Sequence, residues 1–201
     1  MDLKKYHLDL REVIAILVSV ITISLAFTLV QANTDNYASP LFLQTFGIII
    51  FTVGSGFVLH ELAHKYVAIK YGAYARYQTW TIGLVLAVVM ALTLGFVFAA
   101  PGAVYIYGQH LDRKKNGLVA AAGPATNLIL GILFLVLGVT VPALRELSMI
   151  GASVNFFLGT FNMIPIFPMD GQKVMQWNVQ IWASLIAVLG ILAFYTATTP
   201  L

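Results

Sequence analysis

Residues 41–70 read LFLQTFGIIIFTVGSGFVLHELAHKYVAIK, an apolar run that carries ionisable side chains near its end. A run of about 20 apolar residues is long enough to cross a bilayer as a helix. His60, Glu61 and His64 follow a stretch of 19 largely apolar residues, 41–59. At 1.5 Å per residue, the two histidines lie about 9–15 Å inward of Lys70. Each ionisable group costs roughly 2.5–3.5 kcal/mol at the bilayer centre, so their presence at this depth indicates a function.

The motif His60-Glu-Leu-Ala-His64 has the spacing of a metal site. Histidines four residues apart lie on one helical face, close enough for both imidazoles to bind one cation. Glu61, beside the first histidine, is placed to accept a proton from water activated by the metal. The pattern is short and also arises by chance. The alternative is a helix end that dips into the interface, with these side chains solvated beside Lys65 and Lys70, but it leaves their depth unexplained.

The composition of the whole chain points to a lipid environment. Of its 201 residues, 60% are hydrophobic and 9% charged, whereas soluble domains have about 25% charged residues. The net charge of +3 comes from basic residues in short clusters between apolar runs, which is typical of membrane loops, so nucleic acid is not an expected partner. The chain has no cysteine, and a metal would therefore be bound by His, Asp or Glu.

Apolar stretches joined by short polar connectors organise the chain. Six candidates are 12–30, 41–70, 79–99, 117–141, 147–164 and 179–197. The first follows a basic segment and competes with a signal peptide, but it lacks a small-x-small cleavage pattern. We expect an all-α polytopic membrane protein with five or six transmembrane helices. The whole chain, 1–201, would form one membrane-embedded domain with its catalytic core at about 41–175.

The positions of lysine and arginine predict the orientation. Lys4, Lys5 and Arg11 place the N-terminus in the cytosol. If 79–99 crossed the membrane, the basic cluster 113–115 would lie on the outer side. That conflicts with the preference of lysine and arginine for cytosolic loops. The sequence FAAPGA at 98–103, followed by the β-prone VYIY at 104–107, offers a place to turn back. We therefore expect 79–108 to form a re-entrant hairpin with a strand-like return arm.

A third ligand is needed, because a catalytic zinc site has three protein ligands and a water. Asp170 lies in NMIPIFPMDG at 162–171. The prolines at 165 and 168 end a helix inside the membrane and allow the carboxylate to turn inward. An ordinary Asp-Gly turn is the alternative. The other histidines and acids lie near the predicted membrane surfaces, so Asp170 is the favoured third ligand.

Together, these motifs resemble the site-2 protease family of intramembrane zinc metalloproteases. HExxH, N-x-x-P-x-x-P-x-D-G and Gly123-Pro-x-x-Asn127 carry the resemblance, which covers about 54–171. It implies one zinc ion per chain, bound by His60, His64 and Asp170. It further implies Glu61 as catalytic acid and base, and Asn162 as a residue that helps to hold the reacting group. The expected substrates are transmembrane proteins, cleaved by a multi-pass enzyme of the cell membrane.

One residue departs from the family's pattern, and two other functions are alternatives to proteolysis. Gln172 stands where the family often has a second glycine. A metal-ion transporter or sensor would use the same ligands but would need a polar pathway. Outward of His60 the helix offers few polar side chains: Ser55, Thr52, Thr45 and Gln44. An inactive scaffold that binds membrane segments is disfavoured by the intact Glu61.

The remaining polar and small residues have predicted packing roles. Gly54 and Gly56 are expected to allow close helix approach. Asn155 is expected in a hydrogen-bonded bundle core, and Asn127 is assigned a structural role. Tyr105, in the predicted return arm, fits either an interfacial anchor or an edge that docks a peptide.

Overall fold

The computed structural model describes residues 7–31, 37, 39–107 and 111–199. Its helices and strands, in chain order, are α1 (Leu10–Gln31), α2 (Pro40–Lys70), β1 (Tyr74–Thr79), α3 (Thr81–Leu94), β2 (Gly102–Tyr107), α4 (Arg113–Thr140), α5 (Arg145–Asn162), α6 (Asp170–Trp177) and α7 (Val179–Thr198). A short 3₁₀ turn, Pro142–Leu144, joins α4 to α5.

Among the described residues, four helices are long and apolar enough to cross a membrane. They are α1, α2, α4 and α7, with 22, 31, 28 and 20 residues. The expected all-α polytopic membrane architecture is thus confirmed. The predicted span 147–164 corresponds to α5, which does not belong to this group. It packs against α4 and α7 and buries Ser148 and Asn155. Because neighbouring helices cover it, α5 needs less apolar surface than a lipid-facing span.

The predicted re-entrant segment is a helix framed by two paired strands. Helix α3 has 14 residues, about 21 Å at 1.5 Å per residue, which is shorter than the roughly 30 Å hydrocarbon core. Strands β1 and β2 pair antiparallel, with Thr79 opposite Gly102 and Tyr74 opposite Tyr107. Both ends of the segment therefore lie together, and the strand-like return arm is confirmed. The segment just before the predicted hairpin is also a strand, β1, which the sequence does not predict; Gly108 lies outside the described residues.

A buried ion pair attaches this sheet to the first two helices. Lys65 Nζ on α2 lies 2.7 Å from Glu12 Oε2 on α1, and both side chains are buried. The other oxygen of Glu12 accepts a hydrogen bond from the Tyr77 backbone amide at 2.9 Å. The Tyr77 hydroxyl donates to Ser19 Oγ on α1 at 2.7 Å. Buried charges are tolerated when they are paired and hydrogen-bonded, so this network fixes β1, and through it β2, against the bundle.

Helices α2 and α4 run antiparallel at the centre of the molecule. Asn127 on α4 is hydrogen-bonded to Gly56 and His60 of α2, whereas Val119, two turns earlier, is bonded to His64. As expected, the glycines of α2 permit close approach: a Cβ on Gly54 would lie 3.1 Å from Val20 of α1. The hydrogen bonds to Asn127 and Val119 place the histidine face of α2 directly against α4.

Candidate metal centre

Helix α2 presents both histidines of the HELAH motif on one buried face. His60 and His64 are 3% and 7% exposed, and their Nε2 atoms lie 3.0 Å apart. Their rings are nearly perpendicular, with centroids separated by 4.6 Å. The i,i+4 spacing thus brings two imidazole nitrogens to one point, as the sequence predicts.

Asp170 reaches the same point from a distant part of the chain. Helix α5 ends at Asn162, before both prolines of the loop, and α6 begins at Asp170. Asp170 Oδ2 lies 3.3 Å from His60 Nε2 and 3.0 Å from His64 Nε2. The following Gly171 is required for this approach, because a Cβ there would lie 2.1 Å from the Met163 carbonyl oxygen. The Asp-Gly pair therefore docks the start of α6 against the end of α5.

The three side chains fit one metal ion. Their ligand atoms all lie within 4.8 Å of one another. Tetrahedral coordination at about 2.0–2.1 Å from zinc separates ligand atoms by roughly 3.3 Å, close to the distances seen here. Two imidazoles and a carboxylate form a donor set typical of catalytic zinc, with a fourth position left for water or substrate.

Helix α4 supplies the groups that orient both imidazoles. His64 Nδ1 lies 2.7 Å from the Val119 carbonyl oxygen. Because a carbonyl only accepts, Nδ1 carries the proton, and the Nε2 lone pair is free for a metal. His60 Nδ1 is hydrogen-bonded to Asn127 Oδ1 at 2.5 Å. A ligating histidine usually donates its other N–H in this way, which fixes both its tautomer and the orientation of its ring.

Gly123 lies between these two groups on α4 and leaves the space in which the ligand atoms meet. A Cβ at this position would lie 2.5 Å from the Nε2 atoms of both His60 and His64. A side chain at position 123 is therefore incompatible with the observed positions of the two imidazoles.

Gly123→Ala is expected to weaken zinc binding at least about tenfold, since displaced imidazoles lose the orientation that such sites need. The affinity would be measured by competition with a chelator of known zinc affinity. Gly47→Ala, where an added Cβ meets no atom within 4 Å of the described structure, serves as the control. Equal zinc affinity in the two variants would contradict this account of Gly123.

Glu61 lies beside the ligands without being one of the three that converge. Its side chain is buried, with the residue 6% exposed. One oxygen interacts with the Val104 backbone amide of β2. The other, Oε2, has no hydrogen-bond partner among the described residues. A buried carboxylate oxygen without a partner is costly, and such a group is a candidate for proton transfer to or from a bound molecule.

The site opens into a cavity of about 380 Å³. The metal-binding side chains and Glu61 form part of its wall, and β2 forms another part. Asn162 also lines the cavity, with its amide donating to the Leu158 carbonyl at 2.9 Å. Lys173 also lines the cavity, and its Nζ lies 3.9 Å from Asp170 Oδ1. All five residues singled out from the sequence therefore meet at one cavity.

Three residues of α4 contribute to the metal centre in ways that the sequence does not predict. The sequence predicts a structural role for Asn127, but its Oδ1 is hydrogen-bonded to Nδ1 of His60, a candidate ligand. The glycine of the same Gly-Pro-x-x-Asn motif leaves room for the imidazoles, and the spacing of Gly123 and Asn127, one helical turn apart, could have indicated a shared face. Val119 acts through its backbone carbonyl, for which a side-chain pattern carries no signal.

Known proteins similar to this chain are named as zinc metalloproteases. The chain is 40% identical over 181 residues to "Putative zinc metalloprotease MJ0611" of Methanocaldococcus jannaschii, covering 89% of this chain and 90% of that protein. It is 31% identical over 156 residues to "Putative zinc metalloprotease YwhC" of Bacillus subtilis, covering 68% and 70%. A match to "Zinc metalloprotease MJ0392" of M. jannaschii has 26% identity and covers 85% of this chain and 45% of that protein.

No family model and no solved structure matches the chain. The similarity to the first of these relatives extends over nine-tenths of both proteins, and the donor set that the structure brings together fits the zinc that their names imply. The chain therefore belongs to the site-2 protease-like family of zinc metalloproteases.

Proposed function

We propose that this protein hydrolyses peptide bonds within or near the transmembrane segments of other membrane proteins. The observation that carries the proposal is the buried Glu61 beside three converging metal-binding side chains. They lie at a cavity lined in part by α2 and α4, two helices long and apolar enough to cross a membrane. His60 lies ten residues before the end of α2 at Lys70, about 15 Å along the helix. A site at this depth favours a substrate that is itself in the membrane.

The residues of the site have distinct roles in this proposal. His60, His64 and Asp170 hold zinc, with the two imidazoles oriented from α4. When bound, zinc supplies Lewis-acid chemistry that polarises a carbonyl and acidifies water. Glu61 accepts the proton of the attacking water and passes it to the leaving amine, for which its oxygen without a hydrogen-bond partner among the described residues is suited.

Asn162 is placed to stabilise the charge that develops on the substrate carbonyl oxygen. Its amide nitrogen uses one hydrogen to bond the Leu158 carbonyl. The second hydrogen remains for a substrate at the cavity, where a preorganised donor stabilises a developing oxyanion.

Strand β2 is placed to receive the unwound segment of a substrate. Trp80 N donates to the Pro101 carbonyl at 2.9 Å and continues the register of the sheet. Because hydrogen-bonded pairs alternate in an antiparallel ladder, the backbone groups of Gly102, Val104 and Ile106 face away from β1. A helix that opens in lipid must find new backbone partners. Apart from the Val104 amide, which already interacts with Glu61, the backbone groups of this edge would supply them by strand addition.

The proposed setting is the cell membrane, with the N-terminus and the segment 113–116 in the cytosol. The pairing of β1 with β2 supports this, since it returns the chain to the side from which α3 entered. A cysteine introduced at Asn116 is expected to react with a membrane-impermeant thiol reagent only after the cytosolic side is exposed. The chain has no native cysteine, so the label is unambiguous. Labelling from the outside of intact cells would contradict the re-entrant arrangement.

A pool of synthetic transmembrane segments, reconstituted in liposomes with the purified protein, tests the proposed activity. Mass spectrometry of the products is expected to show cuts within or beside the apolar stretch of a subset of segments. A protein that takes up zinc but cuts none of them would favour a metal-ion transporter or sensor. Cuts confined to soluble tails would contradict the intramembrane substrate class.

A further inference from the structure

We propose that Asn155, which among the described residues has no hydrogen bond to any of the three metal-binding side chains, fixes the metal-binding tautomer of His60 through Asn127. The inference rests on the proposed metal centre and concerns how its geometry is set. It assigns a positioning role to a residue of α5 that the sequence places only in the bundle core.

We call the chain of hydrogen bonds from Asn155 through Asn127 to His60 the relay. It begins at a backbone carbonyl, which defines the orientation of the Asn155 amide. Asn155 Nδ2 lies 2.8 Å from the Gly151 carbonyl oxygen. A carbonyl accepts and does not donate, so the amino group of Asn155 faces Gly151. Its Oδ1 is thereby directed towards Asn127 on α4, at 3.0 Å from Asn127 Nδ2.

The second amide passes this orientation to the histidine. With its amino group turned towards Asn155 and the Gly56 carbonyl, at 3.0 and 3.3 Å, Asn127 presents Oδ1 to His60 Nδ1. An inverted Asn127 amide would set its oxygen against two acceptors. His60 is therefore held with the proton on Nδ1 and the lone pair on Nε2, which faces His64 and Asp170.

Burial and shape support a dedicated relay. Asn127 and Asn155 are both fully buried, where an amide with missing partners would be costly. The α2 backbone leaves room for them, because a Cβ on Gly56 would lie 2.6 Å from Asn155 Oδ1. Three helices thus contribute to one chain of hydrogen bonds ending at His60.

Nitrogen-15 NMR of the imidazoles in the metal-free protein tests the relay directly. The chain has four histidines, so their signals can be assigned by substitution. We expect His60 to be an Nδ1–H tautomer in the wild type, and its Nε2–H population to rise in Asn155→Leu. Asn155→Ala removes the same acceptor should leucine not be accommodated. An unchanged tautomer in the folded variants would overturn the proposal.

A double-mutant cycle on zinc affinity provides the second readout. Asn127→Leu is expected to weaken zinc binding about 10–100-fold, as the loss of an outer-shell partner does, and Asn155→Leu to weaken it less. In the Asn127→Leu background, Asn155→Leu should have no further effect. Equal effects in both backgrounds would show that Asn155 acts independently and would overturn the relay.

The control is Ser148→Ala, which removes a buried polar group from the same helix. It should leave the His60 tautomer and the zinc affinity unchanged. A change as large as that of Asn155→Leu would contradict a specific relay.

The proposed function and the proposed relay can fail separately. If the wild-type protein binds no zinc, the proposed metal centre is wrong. The tautomer measurement tests the relay without zinc or protease activity.

Discussion

Replacing Glu61 with glutamine is expected to lower peptide-bond hydrolysis by about 100- to 10,000-fold, the usual contribution of a general base, while zinc stays bound. Glutamine keeps the shape of the side chain but cannot accept the proton. Glu61 does not belong to the group of three converging donors, so the donor set is intact in this variant. The measurements are the cleavage rate of a transmembrane peptide and the zinc content of the same preparation.

The matched control for this experiment is Glu146→Gln, at the exposed start of α5. It makes the same chemical change away from the cavity and should leave both quantities unchanged. Cleavage by Glu61→Gln near the wild-type rate would contradict the assignment of the base. Complete loss of zinc from Glu61→Gln would identify Glu61 as a ligand.

Substitution of Asp170 is expected to remove zinc and activity together. Asp170→Ala leaves two imidazoles, one fewer than the three protein ligands of a catalytic zinc site. Its loss of zinc affinity should exceed the about 10–100-fold that follows removal of an outer-shell partner. Asp170→Asn retains an oxygen but no charge and should fall between Asp170→Ala and the wild type. Chelator competition and peptide cleavage report the two effects.

Asp112→Asn is the control for Asp170→Asn. Asp112 is an exposed carboxylate that caps α4 by accepting a hydrogen bond from Lys115 N, and asparagine can still serve as an N-cap. It should bind zinc as the wild type does. If Asp170→Ala kept wild-type zinc affinity, the third ligand would have to be another group and the proposed metal centre would be wrong.

Local spacing was enough to predict the part of the site on α2. His60 and His64 lie on one face because the helix repeats every 3.6 residues, and this geometry requires no knowledge of the rest of the chain. Asp170 was predicted from chemistry, since two ligands do not complete a catalytic zinc site. The prolines before it indicated where a helix would end inside the membrane.

The contributions of α4 and β1 depend on contacts between distant segments and were not predictable in this way. Asn127 meets His60 across 67 residues, and neither residue's local pattern encodes that pairing. The strand that pairs with β1 is β2, a segment that comes later in the chain. The alternation in Tyr74-Ala-Arg-Tyr-Gln-Thr79 is a weak signal by itself and gains meaning once its partner strand is known.

We expect one zinc ion, held by His60, His64 and Asp170, to make this protein a peptidase. The most direct test is to titrate zinc into the metal-free protein in liposomes while measuring cleavage of a transmembrane peptide that the wild type cuts. We predict that activity rises in proportion to added zinc and reaches its plateau at one equivalent per chain. Full cleavage by the metal-free protein, or stoichiometric zinc binding that restores no cleavage, would contradict the claim.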